Sequence, residues 1–467
     1  MALDRSPLGE FEIRGEWWLP ENPANCVPGV LSYSPGHWVK VELDKPLSDP
    51  WVDTEPGIRE LSLDQRPFDT LLGAGKDGTL CTLLEGFEIA GTTAYARSLL
   101  IGQHFARATD VRFRSAELGL THLERWTEHS PFAFPITELA KGAPEKSYRL
   151  EIAYRGKKLL DIAVPSTGCR IEVWSGTDVT YHVYQSVTIK HAPFVYVEPS
   201  TPQSFSWYRE FFLNLTRLFS FLVGCRLYRT KTVCFAPPNG EEVEPSHVEV
   251  YDQMRIAAIL EEPHPIKMPL PFSLVQNSAD RVFEGWFSTA KELAAVHQLL
   301  LETLPPCDLG LESVLIRLAQ ALEVFYRRSV KGTYVTQEEY QEYYKNLVEA
   351  FPEKMPDDLK YRLRNHLKFG NEYSLNSLVK HLIRSLDKVA QDALCIEDPA
   401  EFALRVARTG NTLTHHTPAD GPVASTATEY YEMNKQLRAL LYGVLAQSLG
   451  FNGAVLRQCV DRARAYT

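Results

Sequence analysis

The chain has 467 residues, of which 44 % are hydrophobic and 23 % charged, a composition typical of folded globular proteins and unlike disordered or fibrous ones. At about 100 to 200 residues per domain, this length predicts two to four domains. The net charge of −10 argues against a protein that coats nucleic acid with a wholly basic surface. Residues 311–467 nevertheless hold 20 basic and 19 acidic residues, whereas 1–310 hold 29 and 40, so a polyanion is expected at the C-terminal part.

The eight cysteines are scattered, without a C-x-x-C pair or a regular spacing. This pattern differs from a zinc site or a disulfide framework and indicates free thiols in a reducing compartment. The N-terminus lacks a basic stretch followed by an apolar one, so we expect no signal peptide. The most apolar segment, 211–225, is too short and too polar to span a bilayer. We therefore expect a cytoplasmic protein without a membrane partner.

The first two hundred residues alternate apolar and polar side chains in short runs, which predicts a β-rich region. The predicted strands are 11–18, 29–33, 37–43, 148–154, 158–164, 170–174 and 186–189. Ser34, Pro35 and Gly36 predict a hairpin turn. A helix is predicted over 206–223, followed by further strands at 232–236 and 248–251 and a helix that ends near Leu304.

After Pro305 and Pro306 the apolar residues recur with helical spacing. The predicted helices are 311–330, 337–350, 357–368, 374–390, 400–415 and 428–449. The pattern indicates an α+β multidomain protein, with a β-rich domain at 1–305 and an all-α helical bundle at 306–467.

The glycine-rich stretch 72–79 superficially suggests a phosphate-binding loop. It lacks the G-x-x-x-x-G-K-[ST] spacing, because Lys76 follows the wrong glycine and Thr79 is displaced from it. We therefore predict an ordinary turn. The sequence also lacks G-x-S-x-G, H-E-x-x-H and the protein-kinase signature set, which removes the main support for those hydrolases and kinases.

A stronger candidate lies on the helix predicted to start after Asp398. Asp398 is a typical N-cap, Pro399 suits the first helical position, and Glu401 is placed to close a capping box. This start fixes the register of the residues that follow.

If that helix continues through Gly410, steps of about 100° per residue bring several polar side chains to one face. Asn411 lies about 60° behind Arg408, Thr412 about 40° ahead of it, and His415 within about 20° of it. This face combines a guanidinium, an amide, a hydroxyl and an imidazole.

These groups suit cleavage of an RNA backbone. Arginine binds a phosphate through two hydrogen bonds and stabilises its growing charge, and histidine moves protons near neutral pH. Because the 2′-hydroxyl of RNA attacks its own phosphate, the chemistry needs no metal, no cofactor and no protein nucleophile. The spacing alone is weak support, since Arg97 and His104 repeat it in the β-rich region, where packing or surface roles are simpler.

The context of Arg408 and His415 strengthens the interpretation. The helical region resembles HEPN domains, helical ribonucleases marked by an Arg-x(4 to 6)-His motif, and Arg408 to His415 matches the six-residue form. Segments 318–330, 369–386 and 434–450 agree with this resemblance. Many members place Asn directly after the motif Arg, whereas here Asn411 comes three positions later.

The β-rich part is similar to the N-terminal domain of ApeA-like anti-phage defence proteins. The similarity lies in segments 15–20 and 29–43 and in the region of Phe283 and Trp286. The order of the two domains also matches that family, which is bacterial.

The resemblance implies an endoribonuclease that acts as a homodimer through its HEPN domain. Arg408 would bind and stabilise the phosphate, His415 would provide acid–base or positioning chemistry, and Asn411 would orient the phosphate or the attacking hydroxyl. His416 would replace His415 if Gly410 bends the helix. The implied substrate is RNA, with tRNA as one candidate, and the implied outcome is abortive infection.

The acidic N-terminal domain would then sense an unknown phage-derived trigger. Its charge favours a protein, or a small ligand, over nucleic acid. Two other functions stay open: a catalytically inactive HEPN module for RNA binding, nucleotide binding or dimerisation, and a carbohydrate- or peptide-binding scaffold with an unrelated helical tail.

Other polar residues of the helical region have simpler roles. Glu323 is placed to orient Arg408 or His415, but a solvated or ion-paired side chain is the simpler interpretation. A basic set on the middle helices suits either RNA guidance or a solvated helix face: Arg362, Arg364, Lys368, Lys380 and Arg384.

Overall fold

The computed structural model describes residues 5–48, 51–55, 58–61, 65–89, 92–133, 153–154, 156–182, 186–237, 246–256, 263–415 and 421–466. The chain forms two compact units: 1–265 with 271–287, and 266–270 with 288–467. The division at residue 305 stays a prediction of where the domains separate, and the contacts place residues 288–305 with the second unit.

The first unit is built mainly of antiparallel strands. They are β1 (Phe11–Trp18), β2 (Val27–Tyr33), β3 (Val39–Leu43), β4 (Trp51–Glu55), β5 (Ile58–Leu61), β6 (Gln65–Gly75), β7 (Leu80–Ile89), β8 (Thr93–Ile101), β9 (Arg112–Phe113) and β10 (Ser115–Leu120). The others are β11 (Phe132–Ala133), β12 (Ala153–Tyr154), β13 (Lys157–Val164), β14 (Cys169–Ser175), β15 (Thr177–His182), β16 (Ser186–His191), β17 (Phe194–Pro199), β18 (Gln203–Ser204), β19 (Arg229–Ala236) and β20 (Ser246–Asp252).

The helices follow in chain order. Those that begin in the first unit are α1 (Leu123–Trp126), α2 (Phe205–Val223), α3 (Phe272–Val275) and α4 (Ala279–Thr289). Those of the second unit are α5 (Ala294–Thr303), α6 (Leu311–Phe325), α7 (Gln337–Glu349), α8 (Asp357–Lys368), α9 (Leu375–Ser385), α10 (Lys388–Ala393), α11 (Pro399–His415), α12 (Ala427–Ser448) and α13 (Gly453–Tyr466). No helix among the described residues is both long and apolar enough to cross a bilayer.

Six strands of the first unit form a closed ring. Their order is β1, β2, β3, β8, β7 and β6, and β6 pairs again with β1. Apolar side chains fill the ring, including Trp17, Leu31, Val41 and Leu83, all fully buried. The ring follows from the alternation seen in the sequence, because successive side chains of a strand point to opposite faces.

The sheet continues beyond the ring from β8. The order of the added strands is β20, β19, β10, β17, β14 and β13. Helix α2 contributes a row of aromatic rings to this part of the unit. Phe219 packs edge-on against Trp126, and Phe211 stacks on Phe287 with ring centroids 4.6 Å apart.

The glycine-rich stretch is the turn between β6 and β7, as the sequence predicts. Gly78 has a φ of +84°, which favours glycine, and its amide donates to the carbonyl of Gly75 at 2.9 Å. The Asp77 carboxylate accepts from the amide of Thr79 at 3.0 Å. These bonds form a tight reverse turn.

The second unit packs helices around α12. Residues 437–446 of this helix are all buried, so it is enclosed on every side. It contacts α6 and α13, whereas α11 packs mainly on α9 and also touches α6. The fold class predicted from the sequence is confirmed: a β-rich N-terminal region precedes a helical bundle.

Several element limits differ from the sequence-based predictions. The helix predicted over 374–390 is wrong as a single element, because Asp387 caps a new helix by accepting from the amide of Val389 at 3.3 Å. The last five residues of the predicted helix 311–330 form a π-helical turn. Helix α13 was not predicted from the sequence. The strand predicted at 148–154 lies mostly outside the described residues.

Candidate active site

Helix α11 carries the motif and starts where the sequence predicts. The Asp398 carboxylate accepts from the amides of Ala400, at 2.7 Å, and Glu401, at 3.2 Å. The helix continues without interruption through Gly410 to His415. The helix thus continues through Gly410, as the predicted alignment of Arg408, Asn411 and His415 on one face requires.

The motif residues lie on the side of α11 that faces away from the bundle. Ala403, Val406 and Thr409 are buried and form the packed stripe of the helix. At about 100° per residue, the stripe of Arg408, Asn411 and His415 lies about 180° from the packed one. Asn411 and His415 are exposed and Arg408 is half-buried, so the three predicted site residues share an accessible face.

Arg408 lies against the segment that follows the helix. A Cβ atom added to Gly421 would stand 2.8 Å from Cζ of Arg408, and Gly421 has a φ of +123° that only glycine adopts readily. The hydroxyl of Thr409 accepts from the amide of Ala424 at 3.0 Å and fastens the same segment. A glycine at 421 therefore leaves the space that the guanidinium occupies.

The three motif side chains do not meet within one chain. The rise of about 1.5 Å per residue separates Arg408 from His415 by about 10 Å along the axis. Among the described residues, no hydrogen bond or ion pair joins Arg408, Asn411 and His415 to one another. Thr412 donates its hydroxyl hydrogen to the carbonyl of Arg408 at 3.0 Å, which turns it toward its own helix.

The charge of Arg408 is not neutralised by the part of the chain that the structure describes, in which no carboxylate lies within ion-pair distance of its guanidinium. Glu323, considered above as a partner, instead pairs with Arg327 at 2.8 Å. His416 lies outside the described residues. Among the described residues, the guanidinium of Arg408 therefore has no carboxylate partner.

A second arginine of α11, which was not among the predicted site residues, anchors the helix. Arg405 forms an ion pair with Glu429, which also closes a capping box with Thr426 at the start of α12. Hydrogen bonds from the amides of Ser425 and Thr426 to its carboxylate lower the pKa of Glu429 to about 2. The T-x-x-E spacing at 426–429 is a sequence signal that indicates this cap.

The other Arg–His pair has local roles in the first unit. Arg97 pairs with Glu85 at 3.5 Å, and Nε2 of His104 lies 2.8 Å from the carbonyl oxygen of Gly73. The His104 ring also packs edge-on against Trp18. The structural interpretation of this pair is confirmed.

The motif face can bind and polarise a phosphodiester. A guanidinium offers two parallel N–H donors to a phosphate, an amide orients a neighbouring oxygen, and an imidazole transfers a proton. Groups of three or more His, Cys, Asp or Glu side chains suited to a metal ion do not occur among the described residues. The assignment of Arg408, Asn411 and His415 as site residues stays a prediction.

Comparison with known families matches both parts of the chain. Residues 12–286 match the family model for ApeA N-terminal domain 1, and residues 316–454 match that for the Apea-like HEPN domain. No curated protein and no solved structure matches the chain. The first model alone spans more than half of the 467 residues and the second includes the whole of α11. The chain therefore belongs to the ApeA-like family, with an ApeA N-terminal domain followed by an Apea-like HEPN domain.

Proposed function

We propose that this protein is a metal-independent endoribonuclease that cleaves RNA in defence against phage. The family assignment supports an anti-phage role with a HEPN domain. The observation that carries the catalytic proposal is the accessible stripe of Arg408, Asn411 and His415 on α11, within the matched HEPN region.

The reaction is a transesterification within the RNA. The 2′-oxygen bonds to the adjacent phosphorus as its proton passes to a base, and the bond from phosphorus to the 5′-oxygen breaks as that oxygen takes up a proton. His415 takes part in proton transfer, Arg408 binds the phosphate oxygens, and Asn411 orients the phosphate or the hydroxyl. The products carry a 2′,3′-cyclic phosphate and a 5′-hydroxyl.

A homodimer through the HEPN domain completes this site. Since Arg408 and His415 of one chain are separated by about two helical turns, one copy offers no paired base and acid around a single phosphate. A two-fold axis beside the exposed face of α11 would bring two imidazoles and two guanidinium groups to one scissile bond. One imidazole then removes a proton while the other supplies one.

The N-terminal domain is the regulatory part of this proposal. A ribonuclease acting on cellular RNA, with tRNA as one candidate, must stay inactive until infection. We assign the trigger to a phage product, a protein before a small ligand, because residues 1–310 carry a net charge of −11 that disfavours a nucleic acid.

One alternative has direct geometric support. The separation of Arg408 and His415 also suits a HEPN module that binds RNA or a nucleotide, or forms dimers, without cleaving RNA. Such a module needs phosphate contacts from Arg408 but no proton transfer by His415.

Cleavage in cells separates the two functions. The wild-type protein and the Arg408→Ala, Asn411→Ala and His415→Ala variants are expressed with and without phage infection, and total RNA is resolved on a gel. We expect discrete fragments from the wild-type protein that decrease at least about 100-fold in Arg408→Ala and His415→Ala, and less in Asn411→Ala. Fragments formed by the purified protein in the presence of EDTA would support metal independence.

The matched control is Thr414→Ala. Thr414 neighbours His415 on the same helix, but its hydroxyl bonds to the carbonyl of Gly410 at 2.8 Å, and we expect full cleavage. His416→Ala tests the adjacent histidine in the same way. Fragments that persist in Arg408→Ala and His415→Ala would refute the assignment, and intact RNA with retained phage protection would favour the binding module.

A further inference from the structure

Helices α7 and α8 project from the helical unit as a hairpin with no buried residue in either helix. We call residues 337–370 the arm. The two helices face each other, and the Tyr340 hydroxyl donates to the carbonyl of Leu367 across the pair. By contrast, helices of the bundle core bury several apolar side chains each. Helix α9, for example, buries Leu378 and Leu382. The arm therefore presents most of its surface outward.

The outward surface of α8 is basic and aromatic. Residues 359–369 contain four basic residues and no acidic one. Tyr361 is 70 % exposed and Phe369 is 63 % exposed, which is unusual for large rings on a protein surface. Aromatic rings this accessible, alternating with cationic side chains, are typical of surfaces that bind nucleic acid.

Helical spacing arranges three of these residues in a row. Tyr361, Arg364 and Lys368 occupy positions i, i+3 and i+7, within about 60° of one another around the axis. Arg364 and Lys368 are exposed, and in the described part of the chain no carboxylate lies within ion-pair distance of either. Their charges remain available to an anionic partner.

Asp357 and Asp358 occupy the first turn of α8, N-terminal to this row, and the arm has further acidic residues on its other helix. Glu338, Glu342 and Glu349 belong to α7 and are exposed. At about 100° per residue, Glu342 lies about 160° from Tyr340, whose hydroxyl contacts α8. A polyanion is therefore attracted to residues 359–369 of α8 and repelled from α7 and from the first turn of α8.

The base of the arm is fastened to the bundle. The Asn371 side chain is buried, and its Oδ1 and Nδ2 atoms bond both backbone groups of Val335 at 3.0 Å. The Tyr334 hydroxyl lies 2.9 Å from that of Ser377, at the start of α9. These contacts fix the orientation of the arm where it leaves the bundle.

The same base lies beside the motif helix. A Cβ atom added to Gly410 would stand 3.8 Å from Cδ2 of Leu375, the first residue of α9. Gly410 directly precedes Asn411 on α11. The arm thus leaves the bundle at the level of Gly410, on the side of α11 that packs on α9, and α8 adds a surface about 18 Å long.

We propose that the arm binds single-stranded RNA along α8, with bases stacked on Tyr361 and Phe369 and phosphates paired with Arg364 and Lys368. This inference rests on the proposed ribonuclease function and specifies its substrate as RNA that is unpaired beside the cleaved bond. Stacking requires bases freed from a duplex, and a basic row along the helix follows the backbone of one strand.

The test measures binding without cleavage. Full-length His415→Ala protein is titrated into a fluorescein-labelled oligouridine of about 20 nucleotides, longer than one binding site of this kind, and into a duplex of the same length. We expect Tyr361→Ala in that background to weaken binding to the single strand about tenfold. Arg364→Ala combined with Lys368→Ala should lower the slope of log affinity against log salt by about 1.4, since each phosphate contact on a single strand contributes about 0.7.

The matched control is Lys345→Ala, an exposed lysine on the acidic helix of the arm. It removes one charge from the same arm, and we expect unchanged binding to the single strand. Unchanged affinity and salt slope in the α8 variants would overturn the proposal. Loss of dimerisation in these variants, measured by light scattering, with RNA affinity retained, would overturn it in favour of a second copy of the chain.

Failure of the arm proposal is distinguishable from failure of the ribonuclease proposal. If the wild-type protein leaves RNA intact but the α8 variants lose oligouridine binding, the arm binds RNA and the catalytic proposal fails. If cleavage depends on His415 but the α8 variants bind oligouridine as the parent does, the catalytic proposal stands and the arm proposal fails.

Discussion

Helix α12 and the arm helices α7 and α8 belong to the same unit but have opposite surroundings. Residues 437–446 of α12 are all buried, whereas α7 and α8 bury no residue. Leucine and tyrosine side chains occur in both regions, but none of those in the arm is buried, and Tyr343 is 50 % exposed. Apolar periodicity therefore predicts that a helix forms, but it does not predict what covers its apolar side.

The difference in burial between α12 and the arm indicates that one part of the unit provides stability and another provides a surface for recognition. The free energy that keeps the bundle folded comes from apolar area removed from water around α12. The arm contributes little of that area, and its exposed rings are the surface for which we propose RNA binding. Substitutions in the two regions should therefore have effects of different kinds.

The largest effect on folding is expected from Leu441→Ala in α12. Leu441 is fully buried, and its truncation leaves a cavity that should lower the free energy of unfolding by about 2 to 5 kcal/mol. Urea unfolding followed by far-ultraviolet circular dichroism measures this loss. Leu359→Ala on the arm removes the same atoms from an exposed site, and we expect a change within about 0.5 kcal/mol.

Equal losses in the free energy of unfolding of Leu441→Ala and Leu359→Ala would contradict the difference between α12 and the arm. That result would mean that the arm is packed against another surface in solution. Light scattering on the same samples would then show whether this surface belongs to a second copy.

Helix α11 has both a packed stripe and an exposed motif. Substitution of Gly421, which lies against Arg408, tests whether the position of the motif depends on the packing around it. A methyl group at position 421 overlaps the Arg408 guanidinium and requires an unfavourable backbone conformation. We expect Gly421→Ala to lower the free energy of unfolding by about 1 to 3 kcal/mol. Because the displaced guanidinium no longer faces the phosphate, RNA cleavage should fall by up to about 100-fold.

A double-mutant cycle separates the steric overlap between position 421 and Arg408 from the cost of the backbone conformation at 421. In an Arg408→Ala background the overlap is gone, so Gly421→Ala should cost only the backbone conformation, and the two losses of stability should not add. Additive losses would show that Gly421 acts independently of Arg408.

Local sequence signals predicted helices and strands well where neighbouring residues in the sequence determine the element. The alternation over 11–18 matches β1 at both ends, and Asp398 and Pro399 located the start of α11. The break at Asp387 was missed because the apolar pattern continues across it while the side chain caps a new helix. Closure of the ring through β7 and β8 depends on which strands pair, a property that no single segment encodes.

The candidate site was predicted only in part for a similar reason. Helical geometry alone placed Arg408, Asn411 and His415 on one face, and the continuous helix agrees. The contact of Arg408 with Gly421 and the pair between Arg405 and Glu429 join segments whose approach depends on tertiary packing. Sequence spacing carries no information on such approaches once the intervening chain leaves the helix.

The smallest effect is expected from Glu429, which joins the start of α12 to α11. Hydrogen bonds in the folded state lower its pKa from an ordinary 4.5 to about 2. The stabilisation from this charge is therefore complete above about pH 4.5 and is lost as the pH falls toward 2. Because the carboxylate is solvent-accessible, screening keeps the contribution small.

Thermal unfolding of wild-type and Glu429→Gln protein measures this contribution. The variant should unfold within a few degrees below the wild type near neutral pH, and the difference should shrink at about pH 3, where the wild-type carboxylate begins to take up a proton. Glu342→Gln on the arm is the matched control, an exposed glutamate on α7, and we expect no such pH-dependent difference. A difference that stayed constant down to about pH 2 would show that the Glu429 cap stabilises α12 through its shape and hydrogen bonds rather than through its charge.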